Sequence, residues 1–213
     1  MLLFPRLTQL DLTGPHEVLA RLPGADVQLV AKSREPVASE TGLAIVPTAT
    51  FDDVAACEIL FVPGGYGQIA AIDDADTMAF VRRAGASARW VTSACTGAFV
   101  LGAAGLLRGY RAATHWAFMD LLPLVGAEPV RERVVIDRDR ITGGGVPAGI
   151  DIALAIAERA CSRDVADAIR LQLEYAPPPQ PEPAPELVAR VRAKLEARHA
   201  ERRAQLERLR ATP

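Results

Sequence analysis

Along the chain, short apolar runs of β type alternate with stretches whose apolar residues recur at helical spacing. Val27–Val30, Glu58–Val62, Arg89–Ser93, Arg111–Thr114 and Arg133–Ile136 predict strands, and the segments near 15–21, 76–86, 97–107 and 148–160 predict helices. That alternation is the signature of βαβ units and a mostly parallel sheet. Ile59-Leu60-Phe61-Val62 is apolar at every position rather than at every second one, the pattern of a strand covered on both faces, so it is placed mid-sheet. In sheets of this kind ligands sit beyond the carboxyl ends of the strands. The residues just after Val62, Ser93 and Thr114 are therefore the first candidates for a site: Pro63-Gly64-Gly65, Cys95-Thr96-Gly97 and His115-Trp116.

The rhythm stops at Ala176-Pro-Pro-Pro-Gln-Pro-Glu-Pro-Ala-Pro185, where each proline removes an N–H donor and the chain reads as an extended, semi-rigid spacer. Residues 1–175 thus form one α/β domain. Residues 176–213, the spacer and an amphipathic helix after it, are not a separate domain. Beyond the spacer, residues 186–213 carry eight Arg or Lys against four Glu, with Leu187, Val191, Leu195, Leu206 and Leu209 at roughly helical spacing. This reads as a partly solvated helix packed on the core or on a second subunit rather than as a nucleic-acid or membrane contact.

Composition narrows the function. With 213 residues, half of them hydrophobic, the chain can bury one sizeable core. A net charge of -2 offers no global attraction to nucleic acid or to an anionic membrane, which leaves a small-molecule substrate or a protein partner. The three cysteines, 57, 95 and 161, are odd in number and far apart, unlike a secreted disulfide framework, so the protein is expected in the reducing cytoplasm. The N-terminal MLLFPRL is too short for a signal peptide's apolar region, and no run of about 18 apolar residues lacks Gly, Pro or charge.

The most informative stretch is Arg89-Trp-Val-Thr-Ser-Ala-Cys-Thr-Gly-Ala-Phe-Val-Leu, a strand, a turn and an apolar helix with Cys95 at the bend. Ser93 and Gly97 flank it at two positions either side, the small residues that a nucleophile elbow requires. A cysteine at a helix N-terminus also meets unpaired N–H groups and the positive end of the helix dipole, which favour thiolate over thiol. Gly65, after the central strand, is placed near Cys95, so that its amide and that of Thr96 could stabilise an anion together.

Asp11 lies before a helix whose N-cap is read as Gly14, with Pro15 at the first position; it is either turned to solvent or buried with a partner. His16 and His115 read as structural rather than catalytic, and Cys57 and Cys161 as packing residues. Gly143-Gly144-Gly145 lacks the Lys-Ser/Thr of a phosphate loop and is expected to shape a pocket floor. No His, Cys or carboxylate set has metal-ligand spacing, so no metal is expected.

Gln9-Leu-Asp-Leu-Thr-Gly-Pro, Val62-Pro-Gly-Gly, Ser93-Ala-Cys-Thr-Gly, Ala113-Thr-His-Trp, Ile141-Thr-Gly-Gly-Gly and Gln172-Leu-Glu-Tyr-Ala-Pro resemble the superfamily that contains the intracellular protease and the Parkinson-associated deglycase. Within it they most resemble the isonitrile hydratase (isocyanide hydratase) branch. Asp in place of the usual Glu, Thr rather than His after the cysteine, and the Gln-Leu-Glu-Tyr-Ala-Pro ending point that way. The resemblance implies a flavodoxin-like three-layer sandwich of the glutamine amidotransferase type, assembled as a homodimer. It further implies cofactor-free hydration of an isonitrile to an N-substituted formamide, with residues 1–175 as the catalytic domain.

By the same resemblance Cys95 is the nucleophile, Asp11 its acidic partner, and Thr96 the residue whose backbone supports the site. Two rival readings are a glyoxalase or deglycase acting on α-oxoaldehydes and a cysteine-based redox or ligand sensor. Three departures stand out. Met1–Pro5 preserves only the end of the family's first strand. Val146-Pro147 stands where Ile-Thr is expected. A related group of transcription regulators joins this domain to a DNA-binding module, and none follows here.

Overall fold

In the computed structural model, which describes residues 1–177 and 183–211, the continuously apolar run 59–62 is flanked by pairing on both sides. The strands are β1 Val30–Ala31, β2 Val37–Ala38, β3 Ala44–Ile45, β4 Ala49–Thr50, β5 Ile59–Val62, β6 Trp90–Ala94, β7 Arg111–Ala112, β8 Glu128–Pro129, β9 Val134–Asp137 and β10 Arg140–Gly143. The helices are α1 Gln9–Leu19, α2 Gln68–Asp73, α3 Ala75–Ser87, α4 Gly97–Ala103, α5 Ala148–Ala160, α6 Arg163–Gln172 and α7 Pro185–Ala211, with a 3₁₀ helix over Trp116–Val125. The chain is of the α/β class.

A four-stranded sheet runs β5-β6-β10-β9, parallel as far as β10 and antiparallel between β10 and β9. On the other side of β5, the Leu2 N–H donates to Phe61 O at 2.9 Å and the Leu3 N–H to Val30 O at 2.8 Å. The first residues thus bridge β5 to β1, which itself pairs in parallel with β4. Successive strand residues face opposite sides of a sheet. Leu60 and Val62 accordingly join one apolar cluster, with Met78, Val81, Phe99 and Leu101, while Phe61 joins another, with Val18, Ile152 and Ile156. Phe61 is fully buried, and truncating it to alanine would cost about 3–5 kcal/mol.

The expected strand over 27–30 pairs only from Val30, because the Leu29 N–H is taken by the Thr48 side chain before the ladder begins. The expected 111–114 strand is confined to Arg111–Ala112. A strand absent from the expectation, β10, sits in the middle of the sheet. Its partner β9 is joined to it by a tight turn with Arg138 at φ 55°, and the charges of that turn conceal the hairpin in the sequence. The helix expected near 15–21 instead spans Gln9–Leu19, with Thr8 rather than Gly14 as N-cap. Pro15 lies inside it, where only one intrahelical donor is lost. Asp11 therefore belongs to the first turn of α1 and is fully buried.

Part of the spacer, residues 178–182, and residues 212–213 lie outside the described residues. The helix beyond the spacer forms as α7, and it packs through only part of the leucine stripe, Leu206 and in part Leu195. Leu187 and Leu209 are exposed, whereas Arg202, Gln205 and Leu206 are buried. No helix is long and apolar enough to cross a membrane among the described residues.

Candidate active site

Cys95 follows the last residue of β6 and precedes α4 with a φ of 52°, in the left-handed region that non-glycine residues seldom occupy. Its surroundings hold it there. The Cys95 N–H is shared between Gly143 O at 3.1 Å and Gly144 O at 2.9 Å, and its C=O accepts from Thr114 Oγ1 at 2.8 Å. The glycine run thus anchors the turn rather than a phosphate. Gly97 is small because α4 starts against the end of β5: a Cβ there would stand 2.2 Å from Val62 O.

Three elements converge on Gly64. A Cβ added at that position would meet Thr96 N at 2.6 Å, Asp11 Oδ2 at 2.8 Å and Cys95 Cβ at 2.9 Å. The Gly64 N–H donates to Asp11 Oδ2 at 3.1 Å, and Asp11 Oδ1, also buried, has no hydrogen-bond partner. Gly64 was not singled out by sequence reasoning, which favoured its neighbour. Gly65 is close by, with φ 126°, but its N–H donates to Thr96 Oγ1 at 3.0 Å, and the same hydroxyl lies 3.2 Å from Gly65 O. The Gly65 amide is therefore committed to the threonine side chain rather than paired with the Thr96 amide as a second open donor.

The electrostatics set carboxyl and thiol against each other. Burial drives the Asp11 pKa from 3.8 to about 7, opposed by the Gly64 N–H and the Cys95 thiol and assisted by Glu40. Burial and the Asp11 charge push the Cys95 thiol well above its usual value, while the Thr96 N–H and Arg202 pull it down. The two groups share protons as a coupled pair. Expecting a simply activated thiolate from the helix N-terminus is thus incomplete: burial and the Asp11 charge oppose it, and Asp11 is the group poised near neutrality.

Cys95 and Thr96 open onto a cavity of about 110 Å³ that His115, Val146, Glu40 and Tyr66 also line. Its roof is α7, through Leu195, Arg198 and Arg202, which no local sequence signal marks as site residues. His115 accepts from the Ala117 N–H at 3.3 Å, capping the 3₁₀ helix, and burial with the nearby Arg202 lowers its pKa to about 4, so it is neutral. Cys57 is half-buried, its thiol directed at Ala84 O. Cys161 is exposed at the end of α5, which corrects its reading as a packing residue. Among the described residues no group of three or more His, Cys, Asp or Glu is arranged to hold a metal ion.

Residues 1–159 match the DJ-1/PfpI family. An isonitrile hydratase of Pseudomonas putida is 54% identical over 178 residues, covering 84% of this chain and 78% of its own. A crystal structure of a THiJ/PfpI family protein from Pseudomonas syringae superposes with a TM-score of 0.88 at 44% identity, covering 99% of this chain and 88% of that one. An HTH-type transcriptional regulator of Pseudomonas aeruginosa is 30% identical over 138 residues, but the match takes in only 37% of it.

Proposed function

The chain belongs to the DJ-1/PfpI family, and within it we propose that it is an enzyme hydrating isonitriles to N-substituted formamides, with Cys95 as nucleophile and Asp11 as proton carrier. The observation that carries the mechanism is the convergence of Asp11, Cys95 and the Thr96 amide on Gly64. The identity to the Pseudomonas putida isonitrile hydratase supports the substrate class.

Catalysis begins with the proton on sulfur. Asp11, with its pKa near 7, takes it, leaving a thiolate beside the Thr96 N–H. The thiolate adds to the terminal carbon of the isonitrile, forming a C–S bond, and that carbon receives the proton back from Asp11, giving a covalent thioimidate. Water then adds to the same carbon while the Asp11 carboxylate accepts one of its protons. Collapse of the tetrahedral adduct breaks the C–S bond as the carbonyl forms, the adduct's hydroxyl proton passing to the nitrogen and the proton held by Asp11 returning to sulfur, which releases the formamide. Thr96 and Gly65 hold the turn in register through their hydroxyl and amide.

The reading includes the architecture around these residues. Apolar clusters on both faces of β5 support a flavodoxin-like three-layer sandwich, and the strained Cys95 between β6 and α4 supports a nucleophile elbow. Residues 1–175 serve as the catalytic domain in the cytoplasm, 176–213 are not a separate domain, with α7 packed on the first, and two copies assemble as a homodimer. Mass spectrometry of the protein mixed with a simple isonitrile tests the proposal. It is expected to show a transient adduct on Cys95 and formamide in solution, both lost in Cys95→Ala. Turnover by Cys95→Ala at the parent rate would overturn it, and hydroxyacid from methylglyoxal without formamide would move the site to α-oxoaldehydes.

A further inference from the structure

Arg202 is 1% exposed, yet its Nη1 has no hydrogen-bond partner and no carboxylate pairs with the guanidinium among the described residues. Its Nε lies 3.1 Å from the Gln68 side-chain oxygen once that amide is oriented to accept, and its guanidinium stacks 4.2 Å above the Phe118 ring. Neither contact neutralises it. A buried cation without a paired anion is costly, and burial, opposed by the charges of Cys95 and Glu201, lowers the Arg202 pKa to about 10, so the group stays charged at neutral pH.

The other charged and titratable groups around the cavity are already accounted for. Arg198 faces Glu40 at 3.9 Å, Tyr66 is hydrogen-bonded to Glu201, and His115 is neutral. Asp11 reaches Gly64 from α1 and is not among the residues that line the cavity. That leaves one buried positive charge with no paired carboxylate and one site where negative charge forms, both facing the same small cavity.

We propose that Arg202, delivered across the cavity by α7, is the built-in counter-ion for the Cys95 thiolate. The proposal deepens the reading of Cys95 as nucleophile and rests on it. Arg202 acts through the sulfur rather than by reshaping the fold: it does nothing for the resting thiol, and it offsets the charge that appears when the proton leaves for Asp11. Charge stabilisation of this kind is strong in a small, water-poor site, where the field is little screened.

The test is alkylation of the folded full chain by iodoacetamide across a pH series, followed peptide by peptide so that exposed Cys161 serves as internal control. In Arg202→Met, which removes an unpaired buried charge at similar length, the melting temperature is expected to hold or rise. The pH midpoint of Cys95 alkylation should move up, and its rate near neutral pH should fall about tenfold. Arg202→Lys should recover most of the rate, and Cys161 should react alike in all three proteins.

An unmoved Cys95 midpoint in Arg202→Met would overturn the proposal. So would equal shifts in the methionine and lysine variants, or loss of the folded state in the methionine variant, each of which makes Arg202 a packing residue. Because alkylation needs no isonitrile, this result stands apart from substrate turnover. Counter-ion behaviour without formamide production would leave Arg202 in place and remove only the hydratase reading.

Discussion

On the floor of the cavity Cys95 is fixed through its own main chain, its N–H shared between two glycine carbonyls and its C=O bound by the buried Thr114 hydroxyl. Over the roof, α7 is held mostly by side chains. His199 and Arg203 both reach Asp120, at 3.0 and 2.9 Å, Glu201 bonds Tyr66, Arg198 pairs with Glu40, and Gln205 donates to Ile69 O and Asp73. Several of those side chains are substantially exposed, so salt weakens them. The floor is shaped by strain that the sheet over-determines; the roof is fastened by many small and separable bonds. Damage to the floor should abolish chemistry, while damage to the roof should loosen it by degrees.

The sharpest break is Gly64→Ala. A methyl group there would displace the carboxylate, the cysteine and the Thr96 amide together. Isonitrile turnover should drop by about 100-fold or more, since a misplacement of about 1 Å costs on that order. Overpacking should lower the denaturant midpoint by about 1–3 kcal/mol of stability. An alanine variant with near-parent turnover would show that the floor is not rigid.

Asp11→Asn separates stability from activity at the same place. The folded carboxyl titrates at about 7 against 3.8 for an ordinary aspartate, so the folded state binds the proton more tightly. Its stabilising effect is complete below 3.8 and is lost as pH rises through about 7. The asparagine variant lacks that loss, so urea unfolding above about pH 8 should show it more stable than the parent by about 2–4 kcal/mol, with a flatter profile at lower pH. Its formamide production should fall and lose the ionisation near 7.

Thr96→Val is a milder cut. It leaves the Gly65 amide buried and unpaired, at a cost of about 1–3 kcal/mol by chemical denaturation. Asp120→Asn gives the smallest effect and tests the roof alone. Both of its pairs are partly exposed, so it should cost about 0.5–1 kcal/mol, a loss that high salt reproduces in the parent. A larger loss would mean that roof and floor fold as one unit.

The same contrast explains what could be read from sequence. The Cys95 turn was legible because strand, small flanking residues and helix all lie within a few positions of the cysteine. Asp11 was found as a candidate but misplaced on its helix, since Pro15 mimics a helix start. In the Gly64-Gly65 pair, no local pattern tells which glycine faces the reacting atoms; that depends on where α1 crosses. β10 was hidden by the charges of its turn. Arg202 carried no signal, because its partners come from segments distant along the chain and an arginine on a basic helix is ordinarily solvated.

Gly64 has a consequence for how such a protein can diversify. A Cβ at Gly64 would overlap the Asp11 carboxylate, the Cys95 Cβ and the Thr96 amide, so no side chain fits there without shifting all three. Variation must enter where atoms are replaceable one at a time, at Val146, Leu195 and Arg198 around the cavity's other walls. The shape of that cavity can therefore change through a helix that lies far along the chain from the cysteine.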